Sequence, residues 1–314
     1  MEEITNLRLF PNSNQIVKLN GYGVVHAVEH LLLEFNRTNS KDIFKPVTRR
    51  IKIADFGTYE IGIFRAADND YRALYKSIAQ RFYENTAMFQ KVFECFSAWC
   101  TDNDTKDIVC DIEDIMKYGY EKTEGGRRYH YKSKIEFCQV VYDLLDLEFY
   151  TIKDKASTGE TFRLLMEAGQ KTFEVKTLRE RAPILKKINF KYCAGLPKNL
   201  FYHRAMVFPK KSLKMIINNP DTYELARFVH SVLYFEAEKG HKGKMFTVSS
   251  LAKYVGKTNS HKRLIEKLNT IIPYFLIDYK EQPGQKRIFI WSDFLEIKNP
   301  PNKKNQPEKK NKDV

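Results

Sequence analysis

The stretch FTVSSLAKYVGKTNSHKRLIEKLN occupies 246–269, and its reading decides the fold. Ser249 or Ser250 can cap a short helix, SSLAKYVG, that Gly256 ends. Asn259 or Ser260 then caps a second helix, whose apolar stripe is Leu264, Ile265, Leu268, Ile271 and Ile272. A short helix, a turn and a longer helix with one apolar face form a helix-turn-helix pattern.

The flanks extend this pattern. After it comes YFLIDYKEQPGQKRIFIW at 274–291, two β-rich runs around Pro283 and Gly284. Before it, DTYELARFVHSVLYFEAE at 221–238 repeats Leu225, Phe228, Val229, Val232 and Leu233 at helical spacing. Pro220 and Asp221 mark the start of that helix, Gly240 its stop, and KMFTV reads as a short strand. Helix, strand, helix, turn, helix, hairpin is the order of a winged helix. The second helix of the pair is then the recognition helix and the hairpin the wing.

The same order occurs earlier in the chain. A helical region over 68–100 precedes DIVCDIEDIMKYGY, a strand and a short helix ending at Gly119. YKSKIEFCQVVYDLLDL is a helix with Phe137, Cys138, Val141, Leu144 and Leu145 inward. EFYTIKDKASTGETFRLLM is a hairpin turning near Ser157, Thr158 and Gly159. The expectation is therefore α+β and helix-dominated: two tandem winged-helix domains. The first covers 1–175 with an N-terminal extension, the second covers 176–297, and 298–314 is a disordered basic tail rich in Lys, Asn and Pro.

Composition narrows the function. The 314 residues carry Lys+Arg 53 against Asp+Glu 39, a formal charge of +14, which points to a polyanionic partner. Aromatic residues at 13% and hydrophobic residues at 43% argue for folded domains. No apolar run approaches the roughly 20 residues of a membrane span, so no membrane partner is expected. The opening MEEITNLRLF is acidic and lacks the apolar core of a signal peptide. The five cysteines form no C-x-x-C pair and read as reduced thiols in a cytoplasmic protein.

The basic residues fall where a groove-binding helix needs them. On the second recognition helix Asn259, Lys262 and Arg263 lie opposite the apolar stripe, with Lys267 at its edge. Arg263 suits a bidentate contact to guanine and Asn259 one to adenine. Lys280, Lys286 and Arg287 surround the wing tip, within reach of phosphates. In the first module Arg127, Arg128, Lys132 and Lys134 crowd the start of the recognition helix, where the helix dipole favours anions. Gln139 faces outward farther along, and Lys153 and Lys155 lie on the first hairpin. One basic helix is ordinarily a solvated face; two in the same architectural slot, each followed by a basic hairpin, shift the reading to double-stranded DNA.

Catalytic patterns are few. His26-Ala-Val-Glu29-His30 matches the H-x-x-E-H element of inverted zinc peptidases, with two imidazoles four residues apart and a carboxylate beside them. Neither Glu94 nor Glu113, the available third ligands, sits in a pattern that marks it. The alternative is that both histidines flank the apolar stripe Val24, Val25, Val28, Leu31, Leu32 and Phe35 of an ordinary helix. That reading is adopted: no metal, no cofactor, and no enzyme. There is also no phosphate-cradling G-x-x-x-x-G-K-[ST] sequence.

NPDTYELARFVHSVLYFEAE, the helix-turn-helix and the closing hairpin together resemble the plasmid replication initiators built from two winged-helix domains, over roughly 70–295. The resemblance implies binding to origin repeats, opening of nearby A·T-rich DNA, recruitment of a host helicase or initiator protein, and self-association as a dimer. The stretch 1–65 departs from that family's usual start. The remaining alternatives are a transcriptional or phage regulator with the same modules and, remotely, the zinc peptidase.

Overall fold

The computed structural model describes residues 16–20, 22–37, 47–53, 56–64, 69–123, 125–174, 183–203, 205–215, 220–252, 261–282 and 285–295. Helices and antiparallel sheets are mixed throughout, and the chain divides into two compact units, one ending at Glu224 and one beginning at Leu225.

The larger unit begins with β1 (Ile16–Leu19), α1 (Tyr22–Arg37), β2 (Thr48–Ile53), β3 (Gly57–Ile63), α2 (Asn69–Glu84) and α3 (Thr86–Asp102). Next come β4 (Asp107–Asp111), α4 (Ile112–Met116), α5 (Tyr131–Asp146), β5 (Phe149–Lys153), β6 (Gly159–Glu167) and β7 (Thr172–Glu174). β8 (Ile184–Ala194), α6 (Lys198–Phe201) and β9 (Met206–Pro209) complete it, with a 3-10 turn at Lys210–Lys214. Seven strands form one antiparallel sheet in the order β2-β3-β5-β6-β8-β4, with β7 also on β8, while β1 pairs with β9.

α3 is the centre of this unit. Asn85 caps it, its side chain accepting from the Met88 amide at 3.3 Å, and every residue from Ala87 to Cys100 is buried. A helix buried on all sides needs apolar residues on all sides, and Phe89, Val92, Phe93, Phe96 and Trp99 supply them. Phe96 packs against Phe137 of α5 and Phe190 of β8. Ser97 and Thr101 turn their hydroxyls to the Lys18 carbonyl at 3.1 and 2.8 Å, which ties β1 to the helix.

The smaller unit contains most of α7 (Pro220–Glu238), then β10 (Gly243–Thr247), α8 (Val248–Ala252), α9 (His261–Phe275), β11 (Ile277–Glu281) and β12 (Arg287–Ser292). Its sheet has the order β10-β12-β11, antiparallel throughout. β12 alternates as a strand with one covered face does: Ile288, Ile290 and Ser292 are buried, Arg287 exposed. Leu225, Val229 and Leu233 of α7 are buried, as are Leu264, Leu268, Ile271 and Phe275 of α9. His230, fully buried, meets the Phe275 ring at 5.7 Å.

Both units carry the expected element order, α3-β4-α4-α5-β5-β6 and α7-β10-α8-α9-β11-β12, but they close differently. In the smaller unit the strand between the first two helices pairs directly with the last strand of the hairpin, β10 with β12. In the larger unit β8 separates β4 from β6, and β3 pairs with β5 on the hairpin's other side. The earlier hairpin is thus interior to a sheet and is not the free wing expected of it. The sequence pattern divides the chain at 175/176, yet β8 lies in the larger unit, which continues to Glu224. The tail at 298–314 falls outside the described residues.

Candidate nucleic-acid interface

α9 separates its residues cleanly by face. Leu264, Lys267, Leu268, Ile271 and Phe275 are buried, while Lys262, Arg263, Glu266, Asn269 and Thr270 are exposed. The spacing 264, 267, 268, 271 is the i, i+3, i+4, i+7 series of one buried face, and Lys267 belongs to it. At 5% exposure Lys267 is a core residue, which corrects the expectation that it edges the DNA-facing surface. The chain dips inward there because helical period, not residue charge, sets which way the side chain leaves the helix.

Two contacts tie the hairpin to α9. Tyr279 of β11 donates its hydroxyl proton to Asn269 Oδ1 at 3.0 Å, and His261 Nε2 lies 3.0 Å from Glu281 Oε2. Lys280, Lys286 and Arg287 are exposed. The hairpin is joined in turn to β10 and α8: Arg287 pairs in register with Thr247, and the Val248 amide donates to the Lys286 carbonyl at 2.9 Å. These contacts join α9, the hairpin and β10 within the smaller unit. Asn259 lies outside the described residues.

In the larger unit the loop before α5 is folded back on itself. Lys122 bridges Tyr129, the Thr123 amide donates to the Arg128 carbonyl at 2.7 Å, and Gly125 and Gly126 make the turn at φ 95° and 69°. Arg127, Arg128 and Lys132 emerge exposed just beyond, with Glu136 3.7 Å from Lys132. Lys134 is turned back to pair with Glu113. A cleft of about 630 Å³ opens beside this corner, where Arg128, Lys134, Lys186 and Lys187 meet Asp111, Glu113 and Glu174. Lys186 and Lys187, both exposed, are basic residues that the sequence pattern assigns to a connecting segment.

Gln139 donates to Asp143 at 3.2 Å, and Arg81 of α2 holds the same buried carboxylate through two nitrogens, at 2.9 and 2.5 Å. Gln139 is thus part of a clamp between α2 and α5, although its residue is exposed. Lys153 and Lys155 sit at the tip of the β5–β6 hairpin, with Lys155 at φ 65° and the Ala156 amide donating to the Lys153 carbonyl at 2.9 Å. The tip, with Arg50 and Glu60 of the neighbouring strands, lines a shallow hollow of about 180 Å³.

Among the described residues no group of three or more His, Cys, Asp or Glu side chains converges as a metal site. No helix among them is long and apolar enough to cross a membrane. Burial pushes the Cys95 and Cys193 thiols up to about 12, so neither offers a thiolate nucleophile near neutral pH.

No family model matches the chain. No curated protein matches it either. Among solved structures it is similar to domains 2 and 3 of RctB, at 12% identity over 82% of this chain and 93% of that one, with a TM-score of 0.39. At that level of similarity a functional reading rests on the chain's own residues.

Proposed function

We propose that the protein is a sequence-specific double-stranded DNA-binding protein, with α9 as recognition helix and β11–β12 as wing of a winged-helix module. It acts as an initiator at origin repeats by binding rather than by catalysis. The observation that carries this reading is the face division of α9. Lys262 and Arg263 are exposed at its start, its opposite face is buried, and a basic hairpin is hydrogen-bonded beside it. An α-helix fits the major groove when its free face carries base-reading and phosphate-reading side chains together. Arg127, Arg128 and Lys132 at the start of α5 supply a second cationic corner on the larger unit, where the helix dipole adds to their field. The initiator reading, with its dimerisation and helicase recruitment, follows from the resemblance of the helix-turn-helix and hairpin sequences.

Footprinting on the DNA that flanks the gene tests it. The expected result is protection of repeated sites, with permanganate-reactive thymines appearing in adjacent A·T-rich duplex. Protection of one palindrome without strand opening would favour a regulator. Equal affinity for random duplex at all salt concentrations would overturn specific binding altogether.

A further inference from the structure

His26 and His30 stand one turn apart on α1, away from its buried stripe of Val24, Val28, Leu31 and Phe35. Their Nε2 atoms lie 3.2 Å apart, and their rings meet edge to face with centroids 4.6 Å apart. Two neutral imidazoles at that distance can share only one N–H···N contact. The separation also suits a different partner. Imidazole nitrogens sit about 2.0–2.1 Å from a bound zinc ion, so a tetrahedral angle sets two of them about 3.3 Å apart.

We propose that His26 and His30 form a two-imidazole site for a divalent metal ion of borderline softness, Zn²⁺, Ni²⁺ or Cu²⁺, on the surface of the larger unit. The sequence pattern assigns both histidines a structural role; the distance between their nitrogens goes further. Imidazole donors select this class over Mg²⁺ and Ca²⁺, which take oxygen ligands.

The surroundings fit the assignment. Glu29 Oε2 is 3.5 Å from His26 Nδ1, the nitrogen on the far side of the ring. A carboxylate there favours the proton on Nδ1 and leaves the Nε2 lone pair for a metal. The Tyr22 ring lies nearly parallel to His26, 5° between planes and 6.4 Å between centroids. Glu34, one turn on, is engaged with Arg49 at 3.5 Å. The remaining metal positions therefore belong to water.

Loading is balanced without net proton release. The imidazole that donated from Nε2 moves its proton to Nδ1, and two N–metal bonds replace the N–H···N contact. Glu29 faces Nδ1 and not the metal side of the ring, so it orients a ligand and does not activate a metal-bound water. The site is thus a helix staple joining residues i and i+4, distinct from the peptidase chemistry that the H-x-x-E-H pattern would imply.

The test uses the full chain without a polyhistidine tag, stripped by chelator and dialysed against Zn²⁺. The expected result is one equivalent bound, a raised thermal midpoint, and a Cu²⁺ resonance spectrum split by two nitrogens. His26→Ala/His30→Ala should lose the equivalent and the shift with an unchanged far-UV dichroism spectrum. Glu29→Gln should weaken binding by about 10–100-fold. If the double variant does not fold, His26→Ala alone carries the same test, its side chain being 54% exposed. No zinc on the wild-type chain, or zinc retained equally by the variants, would overturn the proposal.

Discussion

Lys91 is the most consequential buried charge of the larger unit. It lies mid-way along α3 at 3% exposure, its Nζ donating to the Met215 carbonyl at 2.8 Å and standing 5.0 Å from the centre of the Tyr120 ring. Burial pulls its pKa from 10.5 down to about 8. At about 1.4 kcal/mol per unit, holding that ammonium charged in the fold costs about 3 kcal/mol. Lys91→Met keeps the stem volume and removes the charge, but it leaves the Met215 carbonyl without this donor, at about 1 kcal/mol. The variant should therefore be more stable than wild type by about 2 kcal/mol at pH 7. The sign with pH follows from linkage. A cation whose folded pKa is depressed binds fewer protons folded than unfolded between 8 and 10.5, so wild-type stability gains over that window. The variant's advantage should be full below pH 8, vanish before pH 10.5 and end as a deficit of about 1 kcal/mol, the lost Met215 hydrogen bond. Buried cysteine and tyrosine groups also titrate at high pH, but in both proteins, so the difference between the two urea curves isolates Lys91. A variant that is less stable at pH 7, with a gap that does not change to pH 10.5, would refute the reasoning: the Met215 hydrogen bond would then outweigh the cost of burying the charge.

Three further outcomes are expected. Gly119→Ala puts a Cβ 2.6 Å from Cys95 Sγ, 2.9 Å from Lys91 Cε and 3.1 Å from the Leu213 carbonyl, and should cost about 1–3 kcal/mol in chemical denaturation. Lys262→Ala should weaken all duplexes alike and reduce the salt slope by about one, whereas Arg263→Ala should cost about 1–3 kcal/mol on the specific site and little on random DNA, both read by fluorescence anisotropy. Glu236 is held down to about 2 by hydrogen bonds from His241 at 2.6 Å and Lys244 at 2.9 Å. Its contribution is complete above the unfolded carboxylate value and lost as pH falls toward 2. Glu236→Gln should therefore cost about 1 kcal/mol at pH 7 and almost nothing near pH 2, by thermal melts across that range.

The smaller unit is legible in the sequence because each of its signals is local. The period of three to four in 221–238 and 261–272 and the turn residues between 281 and 286 each act within a few neighbours, and α7, α9 and the β11–β12 hairpin follow them. Lys267 shows where residue type misleads: its position between Leu264 and Leu268 assigns it to the buried face, and its charge suggests the surface. β8 shows the opposite failure. Ile188, Phe190 and Tyr192 alternate as a buried strand should, but Lys186, Lys187 and Lys191 and the nearby prolines give the segment the look of a connector. Pairing with β4 and β6 is a long-range choice, and nothing within ten residues of β8 specifies it.

That single insertion separates the two repeats of the same element order. A wing reaches a phosphate backbone because its hairpin projects past the sheet with its outer strand unpaired. β11 is such a strand among the described residues, since its sheet ends there. β5 is not, because β3 covers its outer edge and β2 covers β3. The cations of the earlier hairpin, Lys153 and Lys155, lie at its exposed turn, and a turn can touch a phosphate but cannot lie along a groove. Repetition of helices and strands in the sequence thus repeats the element order without repeating a hairpin at the sheet edge. On the function proposed above, the larger unit would meet DNA through the cations at the start of α5, where Arg127, Arg128 and Lys132 stand at the positive end of the helix dipole. Such a corner would read charge rather than sequence, so under that proposal base recognition falls to α9 and the larger unit adds affinity.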